Sequence, residues 1–273
     1  MPQFAGKVVI VTGSSNGIGR ETARHFAAEG ALVTIHGRNE EALEQAKKEV
    51  HEAGGNDVIV VRGDVREDSV QKKLIEETLA KHGKIDILVN NAGGMVELCP
   101  RKGFEQSIED FDYIIGLNLR SVLSLTMLAM PHLIKSQGEV VNVSSIAGLN
   151  FGAESVPYYA IAKAGLDQLT RSLGTHYIKQ GVRVNSVNPG MVRTTIMKKQ
   201  GVDSDLQEKD SNIPEGRVGL PSDIAKAIAY LADRNASPFL VGHLLVVDGG
   251  SHLNMRLMST SSKKFAALGK QKQ

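Results

Sequence analysis

Cysteine is almost missing from this chain: among 273 residues there is only Cys99. That excludes a disulfide framework and a cysteine-based zinc site, and it points to a reducing, intracellular compartment. No apolar run approaches the ~20 residues of a bilayer span, so neither a transmembrane helix nor a membrane partner is expected. Met1-Pro2-Gln3-Phe4-Ala5-Gly6 has no basic leader region and no cleavage site, and the terminal Lys-Gln-Lys-Gln is not a peroxisomal or ER-retention ending. The expected location is cytoplasmic. Net charge is only +2, too little to suggest nucleic acid as a partner of the whole chain. The basic excess sits in residues 256–273, with Arg256, Lys263, Lys264, Lys270 and Lys272 and no acid. Without interleaved aromatics this stretch reads as a solvated, disordered tail. Repeats, low-complexity linkers and a second hydrophobic unit are all missing. One α/β domain over residues 1–255 is the expectation.

Seven short apolar runs are present: Val8–Val11, Ala31–Ile35, Val58–Val61, Ile85–Val89, Val140–Val143, Val182–Val187 and Leu244–Val247. They are rich in Val and Ile and do not alternate with polar residues, which suits strands covered on both faces. Stretches of helical periodicity lie between most of them. One places Ala23, Phe26 and Ala27 at helical spacing; another opens on Asn39-Glu40-Glu41, a cap residue followed by acids. Strand then helix, repeated, predicts a single doubly wound Rossmann domain with a seven-stranded parallel sheet. The polar stretch 193–220 breaks the rhythm and reads as a substrate lid.

Thr12-Gly13-Ser14-Ser15-Asn16-Gly17-Ile18-Gly19 follows the first strand and opens the first helix. Gly13 permits a tight turn, Gly17 lets backbone approach a pyrophosphate, and Gly19 allows close helix–strand packing. Free N–H groups at the helix start, from Ser15 to Ile18, favour phosphate. A Walker-type ATP site is excluded because no Gly-Lys-Ser/Thr follows. Past the second strand, Ala31–Asn39 holds no acid that could bind the ribose of NAD; Arg38 stands there instead. An arginine fork suits a 2′-phosphate, so NADP(H) is the preferred cofactor and NAD(H) the alternative. Asp64, after the third strand, reads equally as a partner of the adenine amino group or as a helix cap.

Tyr159 and Lys163 lie four residues apart on one helical face, at the edge of the apolar stripe Ala162, Leu166, Leu169 and Leu173. A nearby ammonium favours phenolate, so Tyr159 is expected to have a lowered pKa and to serve as an acid/base near neutrality. No His/Asp/Glu cluster has zinc-ligand spacing, and no metal is expected.

With Thr12–Gly19, Asp64-Val65, Asn90-Asn91-Ala92-Gly93, Asn118, Asn142-Val143-Ser144-Ser145, Tyr159 to Lys163, and Asn188-Pro189-Gly190 through Thr194 in this order, the chain resembles the short-chain dehydrogenase/reductase family over about residues 5–252. Its likeness is greatest to the tropinone-reductase-like and 3-oxoacyl-carrier-protein-reductase-like branches. The resemblance implies hydride transfer between a nicotinamide and a carbonyl or secondary alcohol. It implies Tyr159 as proton donor or acceptor, Ser145 orienting the substrate oxygen, Lys163 on the nicotinamide ribose, and Asn118 holding a water in the proton relay. Asp64-Val65, Asn91, Ala92, Gly93, Pro189, Gly190, Val192 and Thr194 would contact or support the cofactor. Ser145 and Tyr159 stand one residue further apart than is usual in that family, which leaves Ser144 and Tyr158 as alternative partners. Tyr158 would put its lysine at Ala162, which favours Tyr159.

Met95, Val96, Leu149, Phe151, Met191 and Met197 are candidates for an apolar substrate pocket and equally for plain core. Ser121–Pro131 carries no charge around the helix, and Ala164 and Gly165 permit close helix approach. With the family's habit of pairing these two helices, this predicts a homotetramer ahead of a dimer. Competing readings are a non-catalytic dinucleotide-binding scaffold or redox sensor, and a nucleic-acid or acidic-surface binder acting through the basic tail.

Overall fold

The computed structural model describes residues 2–96, 103–149, 154–194 and 213–254. Seven strands form one sheet in the order β3-β2-β1-β4-β5-β6-β7. They are β1 Val8–Val11, β2 Leu32–Gly37, β3 Ile59–Arg62, β4 Ile87–Asn90, β5 Glu139–Val143, β6 Arg183–Pro189 and β7 Leu244–Val247. Every pairing is parallel. All seven apolar runs became strands, two of them with the bounds read from the sequence and five shifted at one or both ends by one or two residues. β1, β4, β5 and β6 are buried along their whole length, which is why their sequences lack alternation.

Helices cover both faces. On one, α1 (Gly17–Ala28), α2 (Glu40–Glu52) and α7 (Pro221–Ala232) bury Phe26, Leu43, Val50 and Ile228 against Val9, Val11 and Ile35 of the sheet. On the other, α3 (Asp68–His82), α5 (Ser121–Ser136) and α6 (Pro157–Tyr177) bury Leu74, Leu125, Leu133 and Leu173 against Ile10, Leu88 and Val184. The predicted opening of α2 is present: Asn39 Oδ1 accepts the Ala42 N–H at 2.8 Å, with Glu40 and Glu41 in the first turn.

Two departures follow from tertiary packing. α4 (Ile108–Ile115), a π-helical turn (Gly116–Arg120) and α5 join into a helix of 29 residues that is apolar enough, by length and composition, to cross a membrane. The sequence reading saw no run of that reach because Arg120 and the acids of α4 interrupt it. The helix instead lies on the sheet, with Val122, Leu125, Ala129, Met130 and Leu133 buried. Second, Gly165 is spent inside the subunit, since an added Cβ would meet Leu119 Cδ2 at 2.9 Å. Leu123, Met127 and Ile161 remain exposed on α5 and α6. Most of the lid read at 193–220, the tail 256–273, Cys99, Phe151 and Met197 lie outside the described residues.

Candidate functional site

The carboxyl ends of the central strands open into a cleft of about 450 Å³. From the expected set it is lined by Gly13, Asn16, Gly17, Ile18, Asn91, Ala92, Gly93, Ser145, Tyr159, Lys163, Pro189, Gly190, Val192 and Thr194. Met95 and Met191, from the apolar candidates, join this wall, together with Gly94, Val143 and Ser144.

The turn between β1 and α1 is shaped for close backbone approach. Gly13 and Gly17 hold φ of +63° and +56°, where a side chain is strained. A Cβ on Gly13 would meet Ala92 Cα at 2.8 Å, and one on Gly17 would meet the Thr194 side chain at 3.1 Å. Gly19 packs inward, its Cβ position blocked by the Gly13 carbonyl and the Asn91 amide. Asn91 braces the turn: its Nδ2 donates to the Thr12 and Gly13 carbonyls at 2.9 and 3.0 Å. The side chain of Ser15 lies against Gly37, and its carbonyl accepts from Arg20. Such a cradle at the start of a helix fits the phosphates of a dinucleotide.

His36 at the end of β2 was not singled out from the sequence. It is 2% exposed, and its Nδ1 accepts the Gly13 N–H at 3.2 Å. Ser14 Oγ accepts the His36 N–H at 2.8 Å. Burial pushes the imidazole down to about 4, so the ring is neutral and can accept that bond at ordinary pH. Nothing local signals this pairing, which spans 23 residues.

Arg38 is exposed beside this turn, outside the cleft, and its guanidinium makes no hydrogen bond or ion pair among the described residues. Asp64 also lies outside the cleft. It accepts the Arg66 N–H at 3.0 Å and the Arg66 guanidinium at 2.7 Å, which holds its carboxyl below the usual range. It thus closes a turn ahead of α3, whose cap residue is Glu67. Val65 is buried, its carbonyl taken by Gln71.

Asn118 stands in the π-helical turn, fully buried, one layer behind the cleft. It reads the loop after β4 from both sides of its amide: Nδ2 donates to the Gly94 carbonyl at 2.8 Å and Oδ1 accepts the Gly94 N–H at 3.0 Å. A Cβ on Gly93 would meet both Asn118 Oδ1 at 2.8 Å and Lys163 Nζ at 3.3 Å.

The two serines separate cleanly. Ser145 faces the Tyr159 phenol across the cleft wall and accepts the Ala147 N–H at 3.1 Å. Ser144 is 3% exposed and turns the other way, towards the Lys163 carbonyl and Asp167. Tyr158 points outward, donating to the Gln106 carbonyl and packing between Phe104 and Phe111. Ser145 and Tyr159 are therefore the pair on the cleft wall.

Lys163 is 3% exposed, and its Nζ donates to the Val143 carbonyl at 2.9 Å. Its Nζ lies 5.5 Å from the centre of the Tyr159 ring. The lowered phenol expected from Tyr-x-x-x-Lys is not found in this state. Burial pushes Tyr159 up to about 12, offset in part by Ser145, and pushes Lys163 down to about 8. Desolvation disfavours both charged forms and at this separation outweighs their attraction.

A family model described as enoyl-(acyl carrier protein) reductase matches residues 13–252. The chain is 35% identical over 250 residues to meso-2,3-butanediol dehydrogenase of Serratia marcescens, covering 91% of this chain and 96% of that one. It is 35% identical over 254 residues to a 3-oxoacyl-acyl-carrier-protein reductase of Thermotoga maritima, covering 91% and 98%. Among solved structures, a short-chain dehydrogenase/reductase of unknown function from Caenorhabditis elegans, with cofactor, superposes with TM-score 0.89 at 43% identity, covering 92% and 97%. Apo glucose dehydrogenase of the same organism superposes with TM-score 0.79 at 49% identity, covering 92% and 99%.

Proposed function

Because the chain belongs to the short-chain dehydrogenase/reductase family, we propose that it is an NADP(H)-dependent carbonyl reductase or secondary-alcohol dehydrogenase working with Ser145, Tyr159 and Lys163. The observation that carries this reading is their convergence on one cleft wall opposite a glycine cradle. When bound, the nicotinamide supplies or accepts the hydride. Gly13, Asn16, Gly17 and Ile18 would hold the phosphates and Arg38 a 2′-phosphate, while Lys163 would lie at the ribose.

The protein's own part is the proton. A phenol at about 12 is protonated at neutral pH, the state a carbonyl reduction needs. Tyr159 gives its proton to the substrate oxygen as that oxygen gains electron density, and Ser145 orients the oxygen by a second hydrogen bond. Alcohol oxidation runs the same path in reverse and needs the phenolate, which the Lys163 ammonium favours. Asn118 holds the loop at Gly93–Gly94 in place and would hold a water of the proton relay from Lys163.

A panel of ketones, diketones and carrier-linked 3-oxoacyl compounds, followed by NADPH absorbance, is expected to reveal turnover. Tyr159→Phe is expected to abolish it, by at least about 100-fold in kcat, with cofactor binding retained. Retention of most activity by that variant on a confirmed substrate overturns the mechanism.

The exposed Leu123, Met127 and Ile161 on α5 and α6 support a homotetramer in which these helices meet. Light scattering after size exclusion is expected to give a multiple of the 29.4 kDa chain mass; a monomer mass at micromolar concentration excludes it.

A further inference from the structure

α6 carries a third ionisable side chain in step with Tyr159 and Lys163. Asp167, one further turn along, is 2% exposed. Its surroundings are donors. Asn188 Nδ2 from β6 lies 3.0 Å from both carboxylate oxygens. The Ser144 hydroxyl just after β5 faces the same carboxylate. Ser186 Oγ donates to Asn188 Oδ1 at 2.7 Å, which fixes the amide with its nitrogen towards Asp167. These donors favour the ionised carboxylate against the burial that pushes the Asp167 carboxyl up. The same Asn188 nitrogen donates to the Ser145 carbonyl at 3.2 Å, so the carboxylate is tied to the turn that carries Ser145.

Few groups face Lys163. From α6 there are Tyr159 and Asp167; from β5 the Val143 carbonyl; from the π-helical turn the Asn118 amide behind Gly93. Asp167 itself is faced by Lys163, by Arg171 on the next turn of α6, by Ser144 from β5 and by Asn188 from β6. Among the described residues, Asp167 is the acid acting on the buried ammonium, one turn along α6 and without a direct ion pair. An ammonium this deep would otherwise shed its proton.

We propose that Asp167 is a positioning residue of the redox site: its carboxylate keeps Lys163 protonated while Asn188 and Ser144 lock the Ser145 turn to the same anchor. This rests on the functional reading given above for Tyr159 and Lys163. It assigns the charge balance of the site to a third position on α6, eight residues after the phenol. It also explains why an acid is buried beneath a cleft it does not line.

Competitive acylation of Lys163 in the full chain, read peptide by peptide by mass spectrometry across pH, gives the lysine's midpoint without any substrate. Asp167→Asn, which keeps size and loses charge, is expected to lower that midpoint by about one pH unit. The alkaline limb of kcat for alcohol oxidation is expected to move down with it. Asp167→Glu, which keeps the charge, is expected to bring both back towards the unaltered chain. Where the asparagine variant does not fold, Asp167→Ser carries the same expectation. An unchanged midpoint in folded D167N or D167S overturns the proposal, even if melting temperature falls. A shifted midpoint in a chain that turns over no alcohol or ketone upholds the coupling and strikes the functional reading instead.

Discussion

The two ends of the parallel sheet solve opposite problems. At the carboxyl ends of β1, β4, β5 and β6 the chain leaves glycine cradles, partly buried side chains and a cleft. At the amino ends, charge is driven inside and closed off. Glu139, first residue of β5, is 5% exposed and pairs with Arg183, first residue of β6, at 2.8 Å, though without hydrogen-bond alignment, and with Arg234 at 2.8 Å. Arg183 is 1% exposed and spends its remaining donors on the Ser237 and Leu231 carbonyls. Asp86, just before β4, accepts the Val8 N–H at 2.8 Å and pairs with Lys7 and Lys84. Both ends bury ionisable groups. At the amino end each meets an opposite charge directly, although burial still pushes the Glu139 carboxyl up; at the cleft Tyr159 and Lys163 have no ion-pair partner, and burial pushes the phenol up to about 12 and the ammonium down to about 8. A buried charge with a close partner serves the fold, and one without serves chemistry.

Variants can break this contrast. Glu139→Gln leaves Arg183 buried without its partner and is expected to cost about 3–5 kcal/mol in urea unfolding. Activity per folded molecule should hold, and a loss of activity without loss of stability would erase the division between the ends. The next effect is pH-dependent and sits at the cleft end. His36 has its folded pKa lowered to about 4. The unfolded chain therefore binds its proton first as pH falls. Stability from the neutral ring is complete above about 6.5 and is lost on the way down to about 4, up to roughly 3 kcal/mol. His36→Asn, which can keep an acceptor for the Gly13 N–H, is expected to flatten that part of the stability–pH curve. An unchanged curve would mean that His36 is not the titrating group. The smallest effect is at the rim. Arg38→Ala is expected to shrink the NADPH-over-NADH preference by about tenfold, from the loss of a charge-assisted pair of ~1.5 kcal/mol or more. An unaltered ratio of dissociation constants removes Arg38 from the site.

The strands were legible because burial on both faces leaves unbroken Val and Ile runs such as Val8–Val11. The glycine turn and the Tyr159–Lys163 spacing were legible because their geometry is local. Bonds between distant segments were not. His36 meets Gly13 and Asp167 meets Asn188 only because β2 and β6 are laid in register beside their neighbours. The phenol's affinity was read with the wrong sign, because spacing reports the nearby ammonium but not the desolvation that overrides it. The helix-cap reading of Asp64 gave way to a turn closed by Arg66, because the cap of α3 falls on Glu67.

The π-helical turn at Gly116–Arg120 works as a gear tooth between α4 and α5. A π turn holds one residue more than its α-helical equivalent, so the two helices are out of phase by about 100° relative to an unbroken rod. That offset lets α5 seat Leu125, Ala129 and Leu133 on the sheet while Asn118 still turns its amide to Gly94. Deleting one residue within the turn would mesh the helices as a plain α-helix. α5 would keep its seat, and the amide would swing away from the loop it holds.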